Sequence, residues 1–412
     1  MKSSIKVVFI GLGGRGRNVM SIMLRMPDVE VVGVCDLRPE MLAKGVALVK
    51  ERRGVEPVAT VDYQELLRRD EVDAVMVTTG WNEHLGLCAE AMLAGKYVAT
   101  EVGGANSLEQ CWDIVRASER SKMPCMMLEN CCYGRKEMMV LNMVRQGLFG
   151  EIIHAEGGYL HDLRKEIALG YERGHFRHAQ NQHRNGDVYP THALGPIAKC
   201  LDINRGNRMM TLTSVSSKGR GLNTWLHEHY GADHEKANYP FAMGDVTTTI
   251  ITCAHGETIM LTHSTTLPRP YSRRTVIQGT KGIWMEDKKG FYFDGISEKE
   301  EQWDSIDKYY PEYEHPLWKS YQDGGKLTET VEGHGGMDYL VQRAFVEAVK
   351  NGTPTPIDVY DTAAWMAITC LSEDSVAMGG QPVPIPDFTN GKWMNRRDFA
   401  EGPYSLDRIP EK

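Results

Sequence analysis

Gly11-Leu12-Gly13-Gly14-Arg15-Gly16 has the spacing G-x-G-x-x-G and directly follows the apolar run Ile5–Ile10. Glycines there let the chain turn tightly and let a pyrophosphate approach the backbone. The helix that follows offers its free N–H groups to that anion. The hexapeptide alone is a weak signal, and Asp36 strengthens it. This carboxylate stands 20 residues after Gly16, at the end of the second apolar run, where it can accept both hydroxyls of a ribose. It also repels a 2′-phosphate. The pattern therefore predicts NAD rather than NADP, with Gly11, Gly13, Gly14, Arg15, Gly16 and Asp36 as cofactor contacts and Arg38 as the one neighbour pulling the other way.

A second set of groups could move protons. Tyr189 and His192 lie at i and i+3 at the predicted start of a helix, and so share a face. Histidine, which titrates near pH 6.5 when unperturbed, suits exchange with an alkoxide. Pro190 fits the first helical turn, where its missing N–H costs nothing. Tyr159 closes the first strand-like run of the second half, and Glu129 and Asn130 close the last such run of the first half. Doubly wound sheets bind ligands at that edge. The plainer alternatives are interface packing for Tyr159 and helix capping for His192. The histidines at 175, 178 and 183, and at 227, 229 and 234, match no metal-ligand spacing, so no metal is expected. His334-Gly335-Gly336 reads either as part of a site or as a cap on the helix near Met337. The aromatic run Tyr309–Trp318 reads as a packed loop, a subunit contact or a sugar platform.

The elements that must hold these groups alternate in the first 128 residues. Apolar runs at Ile5–Ile10, Val29–Cys35, Val72–Thr78, Tyr97–Thr100 and Pro124–Glu129 are separated by helical patterns, which predicts a parallel sheet with right-handed crossovers. Beyond Glu129 come a helix near Lys136–Gln146, a strand at Gly150–Tyr159 and a long polar stretch, Leu160–Asp187, read as a functional loop. Strand-like runs follow at Met210–Ser216, Val246–Cys253, Thr258–Thr265 and Thr275–Gly279, then helices at Met337–Lys350 and Thr362–Ala377. The expectation is an α/β protein: a Rossmann domain at 1–128, and at 129–412 an α+β domain with a large, mostly antiparallel open sheet, its final segments packing back on the first domain. The 412 residues, 42% apolar and 25% charged, suffice for two buried cores. A net charge of −8 argues against a nucleic-acid partner. No apolar run approaches the roughly 18 residues that span a bilayer. Nine cysteines without CxxC spacing read as free thiols in a reducing compartment. The opening MKSSIKVVFIGLGG shows no signal-peptide pattern, which predicts a cytoplasmic protein, or a periplasmic one if the chain is a processed form.

Further motifs carry a family resemblance. Thr79-Gly80-Trp81-Asn82-Glu83-His84, then Gly95-Lys96-Tyr97-Val98 and Glu101-Val102, resemble the nicotinamide pocket of the glucose–fructose oxidoreductase/inositol dehydrogenase superfamily. Val102 stands where those dehydrogenases carry a lysine that hydrogen-bonds the reacting hydroxyl. Together with Glu101-Val102-Gly103-Gly104, Asn185–His192, Asp202–Gly206 and Gly333–Asp338, the chain resembles glycoside hydrolase family 109 from about residue 5 to about residue 395. Characterised members are NAD-dependent α-N-acetylgalactosaminidases.

The resemblance implies a glycosidase that oxidises sugar C3, removes the C2 proton, eliminates the leaving group, adds water and reverses the oxidation. It makes Trp81, Asn82, Glu83, His84, Glu101, Val102, Asn130, Arg177 and Tyr189 further cofactor contacts. It makes Tyr159, Tyr189, Pro190, Thr191, His192 and Tyr271 substrate contacts. Tyr159 becomes the candidate C2 base and His192, with Tyr189, the candidate proton shuttle. Glu129 is placed to pair with His192 or a sugar hydroxyl. The implied partners are a small-molecule glycoside and, as in the superfamily, a second copy of the chain. The competing functions are a sugar or cyclitol dehydrogenase, which Val102 argues against, and a non-catalytic NAD- or sugar-binding protein. Asp36→Ala should weaken NAD binding by roughly 1–3 kcal/mol, the range for charged hydrogen bonds left unmade. Calorimetric titration measures this, and unchanged affinity would place the ribose elsewhere.

Overall fold

The first apolar runs form a six-stranded sheet, β1 (Ile5–Ile10), β2 (Val29–Cys35), β3 (Val58–Thr60), β4 (Ala74–Val77), β5 (Tyr97–Thr100) and β6 (Cys125–Met127). In this computed structural model, which describes residues 2–173, 175–323, 334–396 and 399–409, the order is β3-β2-β1-β4-β5-β6 and every pair is parallel. β4 is buried at every residue, as expected of a strand covered on both faces. Strand β3 escaped the sequence pattern because three residues at a sheet edge, only Thr60 of them buried, make no apolar run. The order reverses between β1 and β4, and there the backbones crowd. Gly11 has φ +95°, and a Cβ on it would lie 2.7 Å from the carbonyl of Thr78, so only glycine fits.

The second sheet has nine strands: β7 (Ile152–Leu160), β8 (Met209–Ser216), β9 (Thr247–Cys253), β10 (Thr258–Ser264), β11 (Val276–Gly279), β12 (Gly282–Met285), β13 (Gly290–Phe293), β14 (Asp304–Ser305) and β15 (Val383–Pro384). Its order is β14-β13-β12-β11-β7-β10-β9-β8-β15, antiparallel throughout except for β7 beside β10. The polar stretch Leu160–Asp187 is not the open loop expected from its composition. It folds into the helices Arg164–Ala168 and Phe176–His183. The second buries His178, Gln180 and Asn181, so its inner face is polar and gives no apolar periodicity. His178 Nδ1 lies 2.8 Å from the Ile167 carbonyl and ties the two helices together.

The carboxyl-terminal segments pack back across the first sheet. Helix Met337–Asn351 lies against helix Gly14–Met23, and helix Val359–Ala377 lies against both helix Leu108–Ser121 and β8. All nine cysteines are buried and unbonded. No helix among the described residues is long and apolar enough to cross a membrane.

At the start of helix Val359–Ala377 the structure buries a cluster of ions. Asp361 accepts from Lys199 Nζ at 2.8 Å, Arg205 Nη1 at 2.8 Å and Asn204 Nδ2 at 3.1 Å. Asp407 in the chain's final segment closes it, 2.9 Å from Arg205 Nε and 3.2 Å from Lys199. Burial alone would raise the Asp361 carboxyl; Arg205 and Lys199 outweigh it and hold it well below the carboxylate range. Its contribution to stability is therefore full above the unfolded pKa of about 4 and is lost as pH falls below that. Asp361→Ala should cost about 3–5 kcal/mol by leaving Lys199 and Arg205 buried with one carboxylate fewer between them. Calorimetry should show the loss at pH 7 and show the gap to the parent narrowing below about pH 4.

Candidate active site

Helix Thr191–Cys200 lies flat on β7 because Gly157 has no side chain. A Cβ at that position would meet Ala193 Cβ at 2.8 Å. The contact brings three rings together: Tyr159 and Tyr189 have centroids 4.4 Å apart, Tyr189 and His192 4.9 Å, and Tyr159 and His192 5.7 Å. Strand β6 stops at Met127. Glu129 caps the short 3-10 helix Asn130–Tyr133 by accepting from the Cys131 N–H at 3.1 Å.

The same oxygen of Glu129 lies 2.7 Å from His192 Nδ1. Burial would push the Glu129 carboxyl up, but the His192 imidazole, Thr191 and the Cys131 amide outweigh it, and the net shift is downward. An ionised Glu129 can only accept, so Nδ1 carries the hydrogen of this bond and Nε2 is the ring nitrogen left to the site. Nε2 faces the Tyr189 hydroxyl at 3.5 Å. Of the two partners expected for Glu129, His192 is the one bonded to it, and the carboxylate is wholly buried.

Arg177 leans over this cluster. Its guanidinium carbon lies 4.9 Å from the Tyr189 ring, 5.2 Å from Trp81 and 5.7 Å from Tyr159, and its Nε lies 3.3 Å from Glu166. Burial pushes the hydroxyls of Tyr159 and Tyr189 above their ordinary range while Arg177 pulls against it, so both are protonated at neutral pH. Trp81 is buried and stacks on Tyr189 at 5.5 Å. Val102 is buried and offers no proton. Tyr271, half exposed, meets the Tyr159 ring edge-on at 6.2 Å.

The structure adds His161, whose Nδ1 lies 3.3 Å from Tyr159 Oη. The available signal was the period of two along a strand, which puts residues 159 and 161 on one face. It was hidden because residue 161 opens the polar stretch. His263, also unforeseen, stacks 6.4 Å from Tyr159 and is pushed down to about 3 by burial.

The glycine turn fits the cofactor. Gly13 gives helix Gly14–Met23 no side-chain cap, Gly14 faces open space, and a Cβ on Gly16 would strike the Gly11 carbonyl. The first amides of the helix are thus left to a pyrophosphate. Asp36 also holds the turn, accepting from the N–H of Leu12 at 2.7 Å and of Arg38 at 2.9 Å.

Other expected cofactor contacts have additional or different duties. The Arg15 guanidinium bonds Glu101 at 2.9 Å and Asp338 at 2.7 and 3.0 Å, which leaves its backbone N–H for the anion. Asn130 Nδ2 donates to Asp338 at 2.7 Å, and His334 Nδ1 lies 2.9 Å from it. His84 is buried, lowered to about 4, and its Nε2 lies 2.5 Å from the Thr79 carbonyl, so it anchors the turn from inside. Asn82 accepts from Asn106 at 3.0 Å and Gln180 at 3.3 Å, while Glu83 is exposed. Pro190 and Thr191 are buried behind His192; Gly333 lies outside the described residues. Glu129, Cys131 and His192 bring ligand-type atoms within 4.8 Å of one another. Two of these atoms already share a hydrogen bond, and burial drives the Cys131 thiol well above its usual range.

Comparison with known proteins matches both halves. Residues 5–128 match the oxidoreductase family with an NAD-binding Rossmann fold, and residues 133–395 match the glycosyl hydrolase 109 C-terminal domain. The alpha-N-acetylgalactosaminidase of Tannerella forsythia is 40% identical over 412 residues, covering 94% of this chain and 87% of that protein. The one from Shewanella oneidensis is 40% identical over 404 residues, covering 96% and 87%. In fold the chain is similar to a levoglucosan dehydrogenase solved with NADH and levoglucosan (TM-score 0.69, 17% identity, 93% of this chain and all of that one). It is similar also to an NAD-binding oxidoreductase from Klebsiella pneumoniae (TM-score 0.72, 14% identity, 93% and 100%). An NAD-binding Rossmann fold joined to that second domain, and relatives matched along nearly the whole chain, make this an NAD-dependent enzyme that belongs to glycosyl hydrolase family 109.

Proposed function

We propose that the enzyme releases α-linked N-acetylgalactosamine by oxidation at C3, elimination across C1–C2 and addition of water, the cofactor staying bound throughout. One observation carries this reading. The site brings together an oriented imidazole and two phenols, while the carboxylates beside them are already paired: Glu129 with His192 and Glu101 with Arg15, both buried, and Glu166 with Arg177. Displacement at a glycosidic carbon needs two carboxyls free to act as acid and as nucleophile or base.

Bound NAD supplies the reversible oxidation of C3; Gly13, Gly14 and the Arg15 amide would hold its pyrophosphate, and Asp36 its ribose. His192 Nε2 takes the C3 hydroxyl proton and gives it back, and Glu129 keeps the ring in the tautomer that can do so. Tyr159 exchanges the C2 proton, and Arg177 lies over its ring and holds it in place. Trp81 and Tyr189 cover the site and keep water from it. A plain sugar dehydrogenase would place a donor at 102, where valine has none. The relatives named as α-N-acetylgalactosaminidases support the choice of sugar.

Glu129→Gln should lower kcat by roughly 10²–10⁴-fold, the range for a disabled general base. Because the amide can bond either ring tautomer, NAD content should stay at the parent's level. Assay with nitrophenyl glycosides checks the first and release of nicotinamide on denaturation the second. In deuterated water the product should carry deuterium at C2 and none at C3. Tyr159→Phe should cut exchange and turnover together, again by about 10²–10⁴-fold. Cleavage with no label at C2 would assign the reaction to direct displacement.

A further inference from the structure

The Tyr159 hydroxyl is protonated, so it can take the C2 proton only if it passes its own onward. We propose that His161 receives that proton, making Tyr159 and His161 a two-residue relay for elimination; this rests on the reading of Tyr159 given above. The assignment follows from the strand. His161 succeeds the last residue of β7, and its N–H still donates to the Ser264 carbonyl at 2.9 Å, so the extended backbone continues through it. Side chains 159 and 161 therefore share a face. Tyr159 Oη and His161 Nδ1 are 3.3 Å apart, with the rings edge-to-face at 5.9 Å. Tyr271, reached through the Leu160–Ser272 bridge, packs edge-on to His161 at 5.1 Å and holds it there.

The other groups around Tyr159 do not serve as acceptor. Arg177 only donates. His192 gives Nδ1 to Glu129 and turns Nε2 to Tyr189. His263 lies parallel to the Tyr159 ring rather than at its hydroxyl. His161 is also in the right state. Burial and the Arg177 charge lower its pKa, and Glu166 and Asp162 only partly offset them, so the ring is neutral at pH 7. Its Nδ1 lone pair then faces the tyrosine O–H.

With C3 as a ketone, the C2–H bond breaks toward Tyr159 Oη as the Oη–H bond breaks toward His161 Nδ1. No free tyrosinate builds up in this buried place. The electron pair of the C2–H bond becomes the C1=C2 bond, and the pair of the C1–O bond leaves on the aglycone oxygen, which takes a proton from water. The His161 imidazolium returns its extra proton to solvent or, as water adds at C1, to C2 by way of Tyr159.

His161→Gln keeps a hydrogen-bonding amide without a titrating nitrogen. Deuterium incorporation at C2 and steady-state turnover should both fall by about 10²-fold or more. The rise in absorbance at 340 nm on mixing with substrate should persist, because oxidation at C3 does not use His161. His161→Asn, which is smaller, gives the same readings if glutamine disturbs Tyr271. Parental exchange rates in variants with parental melting temperature and NAD content would overturn the assignment of His161. A parent that cleaves glycosides without C2 exchange would overturn the elimination reading as well.

Discussion

The hydrogen bond between Glu129 and His192 is the constraint on which the site depends. A carboxylate with no exposed surface is costly unless it is paired. This one is placed where the last strand of the parallel sheet ends, and its partner stands on the first helix laid across the mixed sheet. One bond of 2.7 Å thus compensates a buried charge, ties the two sheets together and decides which ring nitrogen faces the Tyr189 hydroxyl. Gly157 and Gly195 make it possible. The first lets the helix approach β7, and a side chain on the second would stand 2.9 Å from Glu129 Cγ.

The ion clusters farther out hold that arrangement in register. Arg15, Glu101, Asp338, Asn130 and His334 join the cofactor turn to the end of β5 and to helix Met337–Asn351. Lys199, on the same helix as His192, enters the second cluster with Asp361 and Asp407. Both ends of that helix are therefore fixed by buried charge, one at the chemistry and one behind it. Such pairs add little net stability over apolar packing, but once formed they penalise any other alignment.

The local signals were the legible ones. The glycine turn and Asp36 are set by spacing within about twenty residues, and the buried parallel strands by continuous apolar runs. Strands β12 to β14, two to four residues each, are held by pairing rather than by pattern and could not be read. Helix Phe176–His183 hid because its buried face is polar. Arg177 was placed only through a resemblance, and nothing in its neighbours shows that it leans over Tyr189. Glu129 and His192 are 63 positions apart, and His161 looked like the first residue of a loop. These pairings are made by long-range packing, which leaves no period in the sequence.

Fold neighbours at 14–18% identity establish only that the scaffold is one used by dehydrogenases. The chemistry has to be read from this chain's own hydrogens. Valine at 102 offers none to an alcohol, and the available ones sit on Tyr159, Tyr189, His161 and His192. Of these, only His192 is bonded to an ionised acid, and that acid is sealed off. Phenols set beside imidazoles can hand protons along their hydrogen bonds, and the Glu129 carboxylate is placed to balance a charge on His192. The proposed removal and return of two sugar hydrogens within one turnover calls for that reversibility more than for a strong acid.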